Sequence, residues 1–206
     1  MLEADIWNEI DAMRDEEDPA LRGARCSDLA QRLRGVRPAS AQSLYALGYV
    51  LYHHPSRVRD AELQQETDDV LRRALELEPG DAWSHMYRGY NAYDVGRYRE
   101  ARAFFEAADA AQLTTNFALN REEMMLCIDM RTKGIAKCMP SLDAYVSSAE
   151  RYEEPDVFPM TLARTLEELH AELLRLPRRD RTHAKWLASR LDKAGGSNDW
   201  FTALVP

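Results

Sequence analysis

The side chains that could carry chemistry are few and poorly spaced for it. Five histidines occur, at His53, His54, His85, His170 and His183. Glu167 and His170 have the carboxylate-x-x-histidine spacing that sets two metal ligands on one helical turn. Such a site needs a second pair facing the first, and Asp180 with His183 is a weak substitute, so no metal site is expected. His53 and His54 precede Pro55. A proline there ends a helix, and an imidazolium near a helix C-terminus suits the backbone dipole. The cysteines are Cys26, Cys127 and Cys138, with no C-x-x-C pair. An odd, scattered set implies neither a disulfide framework nor a zinc centre and fits reduced thiols in the cytoplasm. The glycine-rich phosphate and dinucleotide loops, the H-E-x-x-H zinc helix and the G-x-S-x-G elbow do not occur in the sequence. The expectation is a protein that is not an enzyme and carries no cofactor.

Bulk properties narrow the remaining classes. The chain has 206 residues, 45% hydrophobic and 30% charged, with a formal net charge of −8. That composition supports a globular core. The negative balance disfavours nucleic acid, whose phosphates need clustered cations. Charge is uneven. Residues 1–20 hold eight acids and one arginine, and residues 175–193 hold seven bases and two acids. Runs of this kind are commonly solvated faces. No apolar stretch approaches the roughly 18 residues of a membrane span. The acidic start MLEADIWNEIDAMRDEED lacks the positive region of a secretion signal, so a cytoplasmic location without a membrane is expected.

The elements that must position any site read as helices throughout. Aromatic and aliphatic residues recur at spacings of three and four, and alternating β-branched runs do not occur. About ten helices are expected, near 2–16, 20–34, 40–54, 59–77, 81–95, 97–111, 115–132, 140–153, 159–175 and 178–194. Breaks fall at Pro19, Gly35 to Pro38, His54 to Ser56, Pro79-Gly80, Gly96, Pro140, Pro155 to Pro159, Pro177 and Gly195-Gly196. Short connections make neighbouring helices antiparallel hairpins.

Two of these hairpins share a pattern. Leu44, Leu47, Gly48 and Leu51 have the spacing of W-x-x-L-G-x-x-Y. Thr67 and Leu71 stand at the positions of A-x-x-x-F, and Leu75, Leu77 and Pro79 close the unit. In the next unit Gly89, Gly96-Arg97-Tyr98, Ala101-x-x-x-Phe105 and Ala108 fall in register. Residues 44–113, with the junction Leu75-Glu76-Leu77-Glu78-Pro79-Gly80-Asp81-Ala82, resemble tetratricopeptide repeats. The first unit is about seven residues longer than the family pattern, an insertion placed around His54 to Ala61. At 116–153 the resemblance weakens, with Glu123 where the glycine belongs. It implies an all-α solenoid of antiparallel hairpins. The expected organisation is an N-terminal hairpin at 1–38, repeats at 39–154, capping helices at 155–194 and a tail at 195–206, in one structural domain. Gly48 and Gly89 should each face the partner helix of its hairpin.

In tetratricopeptide proteins the first helix of each repeat lines a concave groove. Carried over by register, the first unit presents Tyr45, Tyr49, Tyr52 and His53. The second presents Trp83, Met86, Tyr90 and Tyr93, and the third Phe117, Asn120, Met124 and Cys127. A second register, shifted by two, instead puts Trp83, Met86, Tyr87 and Tyr90 into the core and exposes His85 and Arg88. Aromatic side chains combine large contact area with few rotors, which suits a binding surface. The resemblance implies a protein-interaction module taking an apolar peptide or helix of a partner, in an adaptor, chaperone or immunity-type role. Alternatives are a self-associating scaffold, or an enzyme or enzyme subunit on a helical-repeat frame. The tail from Asp199 to Pro206 is largely apolar and is expected to dock, near Trp186 and Leu187 or in the groove of this chain or a neighbour; a frayed, disordered tail is the alternative.

Overall fold

In a computed structural model the structure describes residues 4–150, 160–173 and 175. Every regular element among them is helical. The chain divides into two compact units, one up to Gln112 and one from Leu113 onward. The boundary falls inside the stretch 39–154 expected to form the repeats.

The first unit contains three hairpins: α1 (Ala4–Arg14) with α2 (Pro19–Arg34), α3 (Ala41–Tyr52) with α4 (Ala61–Leu77), and α5 (Ala82–Asp94) with α6 (Tyr98–Ala107). Side chains just ahead of the helices set their starts. The Asp18 carboxylate accepts from the Ala20 amide at 2.8 Å, and Pro19, which has no amide to lose, follows it. Ser40 and Ser43 form a reciprocal capping box. Asp60 and Asp81 cap α4 and α5 through the Leu63 and Ser84 amides at 3.1 and 3.0 Å. Each cap satisfies donors that no helical carbonyl can reach. At the α5–α6 turn Gly96 has φ +76°, a conformation open to glycine.

The repeat register is borne out in the packing. A Cβ on Gly89 would lie 2.6 Å from Phe105 Cε1, and one on Gly48 would overlap the Leu71 side chain. Leu71, Thr67, Ala101 and Phe105 are all fully buried. The small residues therefore let the two helices of each hairpin close onto a large side chain. The expected insertion also appears. Between α3 and α4 the chain makes a turn and a short 3-10 segment, Arg57–Arg59.

The second unit holds α7 (Thr115–Lys133), α8 (Ile135–Glu150), α9 (Met160–Glu168) and a single turn, α10 (His170–Leu173). The expected break at Pro140 is corrected: α8 begins at Ile135 and carries Pro140 inside it. The break lies at Gly134, whose φ of +86° stops α7. Glu123, at the position of the family's glycine, is buried on α7. Its carboxylate accepts from the Leu162 amide at 2.8 Å and the Asn120 side-chain amide at 3.1 Å, so it caps the start of α9. Burial pushes its carboxyl up to about 7, although those hydrogen bonds oppose the shift. Cys26, Cys127 and Cys138 are free and buried. The helix expected at 178–194, with Trp186 and Leu187, and the tail at 195–206 lie outside the described residues. So do the side chains of Glu167, His170, Asp180 and His183.

Candidate functional site

In the first unit the first helices of the three hairpins bring a row of aromatic rings together. Trp7 on α1 meets Tyr45 on α3 with ring centres 6.1 Å apart. Tyr45 and Tyr49 each meet Tyr87 on α5, at 6.0 and 4.9 Å. Tyr52 meets Tyr87 at 5.2 Å and Tyr90 at 6.0 Å. Tyr90 continues to Phe105 at 5.3 Å. Most of these contacts are edge-to-face, the arrangement that sets a positive ring edge on a negative ring face.

Tyr45, Tyr52, Trp83 and Tyr90 pack on the core yet stay partly exposed, as does His53. Tyr93 is partly exposed too, and its ring lies 5.4 Å from that of Tyr98. Three expected surface residues are corrected. Tyr49 is 8% exposed, Met86 is fully buried and Met124 is 3% exposed, so all three belong to the core. Cys127 is fully buried as well. For Tyr49 the reason is visible: Tyr45, His53 and Tyr87 crowd its ring. The α5 register resolves in the same sense, with Met86 and Tyr87 inside. Arg88 is half-buried and makes a two-pronged pair with Asp68 at 2.9 and 3.1 Å. In the second unit, described by itself, Phe117 and Asn120 are partly exposed on α7.

Four residues outside the groove set expected from the sequence organise the row: Tyr87, Arg57, Asn91 and Asp94. Tyr87 touches five other rings and is its hub. Only the shifted register had pointed to it. Arg57, in the insertion, is 3% exposed. Its guanidinium donates to the Tyr52 carbonyl at 2.8 Å, to Asn91 Oδ1 at 2.9 Å and to Asp94 Oδ2 at 2.5 Å. It also lies 4.1 Å from the centre of the Tyr52 ring, while the Tyr52 hydroxyl reaches Asp94 at 3.2 Å. Asn91 closes the network by donating to the Gln64 carbonyl at 2.9 Å. The inserted segment thus ties α3, α4 and α5 together and fixes the orientation of Tyr52.

The electrostatics keep the row uncharged. Burial drives the Tyr45, Tyr52 and Tyr87 phenols well above their ordinary range, so all stay protonated. Burial, helped by the Arg14, Arg57 and Arg22 guanidiniums, lowers His53 to about 4 and leaves its imidazole neutral. The surface offers ring faces and phenol hydroxyls, with no ionised group in the aromatic row itself.

A solved structure of PilF from Pseudomonas aeruginosa, a tetratricopeptide-containing protein, matches with a TM-score of 0.53. The match is 16% identical and covers 97% of this chain and 90% of that one. The fold is a tetratricopeptide-like helical repeat. No family model and no curated protein matches the sequence. Among the described residues no helix is long and apolar enough to cross a membrane.

Proposed function

We propose that this protein is a cytoplasmic, non-catalytic interaction module that holds an apolar peptide or amphipathic helix of a partner against the aromatic row. The observation that carries this reading is the set of partly exposed rings, Tyr45, Tyr52, Trp83, Tyr90 and Tyr93, on the first helices of two successive hairpins. Rings already held by their neighbours lose little freedom on binding, which favours affinity. An uncharged aromatic strip with phenol hydroxyls accepts apolar side chains and hydrogen-bonds a partner's backbone.

The test is a screen of immobilised peptides drawn from the source proteome, repeated with Tyr52→Ala and Tyr90→Ala. Peptides retained by the parent and lost by both variants, with folding intact, support the reading. Retention unchanged by both variants would move binding elsewhere.

A further inference from the structure

A concavity distinct from the aromatic row lies where the end of α2 and its following turn meet α3 and α4. It encloses about 270 Å³. Its floor is apolar: Leu33, Leu44, Leu47 and Val70 line it and are 4–6% exposed. Its rim is ionic, formed by Arg34, Arg37, Arg73 and Glu66.

The rim charges do not balance. Arg34 and Glu66 make a two-pronged pair at 2.8 and 2.9 Å and neutralise one another. Arg37 spends one nitrogen on the Arg34 and Val36 carbonyls, at 2.6 and 2.8 Å. It makes no ion pair among the described residues. The Arg73 side chain makes neither a hydrogen bond nor an ion pair among them. Two guanidiniums without a counter-charge therefore stand over an apolar floor, in a chain whose net charge is −8.

We propose that this cavity binds a small carboxylate with a branched apolar body, its hydrocarbon on Leu44, Leu47 and Val70 and its carboxylate between Arg37 and Arg73. The volume lies just below the roughly 300–1,000 Å³ of pockets that hold drug-sized ligands, so the occupant is small. The planar fork of a guanidinium matches a carboxylate in two parallel hydrogen bonds, which a neutral amide cannot reproduce. A free branched-chain acid and the terminal leucine of a peptide present the same chemistry. The site is independent of the aromatic row and of what that row binds.

The methyl resonances of Leu44, Leu47 and Val70 in the full-length protein read the site directly. The probes are 4-methylpentanoate as free acid, N-acetyl-leucine as chain end, and 4-methylpentanamide as neutral control. At least one acid should shift those methyls saturably, with the amide about tenfold weaker. The double variant Arg37→Gln, Arg73→Gln alters exposed side chains. It should keep the parent's melting temperature and lose the preference for acid over amide. Tighter binding of N-acetyl-leucine assigns the chain end as source, and tighter binding of 4-methylpentanoate assigns the free acid. Equal shifts from acid and amide, a preference that survives the double variant, or no saturable shift would each overturn the proposal.

Discussion

The Glu123 carboxylate on α7 accepts from the Leu162 amide at 2.8 Å and so caps the start of α9. A helix N-terminus favours negative charge, yet the surroundings of Glu123 are dry enough that burial dominates. The carboxyl is held at about 7, against an ordinary value of 4.5.

The sign of the resulting pH dependence follows. A carboxyl whose folded value is raised adds stability that is fully present below pH 4.5 and is lost as pH rises through 7. At about 1.4 kcal/mol per unit the loss is roughly 3 kcal/mol. Glu123→Gln keeps an oxygen for the Leu162 amide and removes the ionisation. Denaturant unfolding should find the variant more stable than the parent above pH 7, with the gap closing as pH falls. His53, lowered from 6.5 to about 4, acts in the opposite sense, losing stability as pH falls through that window. It is common to both proteins and cancels in the difference. Parallel stability profiles for parent and variant would refute the assignment.

Gly89→Ala places a methyl group against the Phe105 ring. Its cost should be about 1–3 kcal/mol, after the helix-propensity gain of alanine is deducted. Phe105→Leu in the same chain should recover part of that loss. A double-mutant cycle measures the coupling, and additive effects would mean that the two sites do not touch.

Arg57→Ala should lower stability by about 2–4 kcal/mol, because Asn91 is fully buried and loses its donor while Asp94 loses its counter-charge. Arg57→Lys should restore little, since one ammonium cannot serve three acceptors on different elements. Thermal unfolding of the two variants decides this. A lysine variant as stable as the parent would reduce the role of Arg57 to charge alone.

Tyr52→Ala and Tyr90→Ala should each weaken partner binding by about 1–3 kcal/mol with modest loss of stability. Met86→Ala should instead cost about 2–5 kcal/mol of folding free energy and leave the affinity of folded molecules unchanged. Calorimetric binding and unfolding on the same samples separate the two classes.

The repeat architecture was legible because its constraint is steric and local. Gly48 meets Leu71 and Gly89 meets Phe105 across each hairpin, and a side chain at either glycine would collide with its partner. The aromatic row was legible in membership and less so in depth. On α5, Met86 and Tyr87 are buried while Trp83 and Tyr90 stay partly exposed, and both pairs fit a helical stripe, so the packing against α3 decides which go inside. Arg57 was hidden for a different reason. Its partners come from α3 and α5, and a loop arginine carries no periodic mark. Pro140 misled because a glycine six residues earlier already ended the preceding helix.

The buried cysteines have a practical consequence. Burial pushes the Cys26 thiol up to about 11 and raises Cys127 further still. A sulfur that is both covered and protonated is inert to alkylation until its surroundings open. Cys26 belongs to the first unit, and Cys127 and Cys138 belong to the second. The wild-type chain therefore carries its own pair of clocks. The order in which a mass spectrometer sees these three sulfurs acquire label will report which half breathes first.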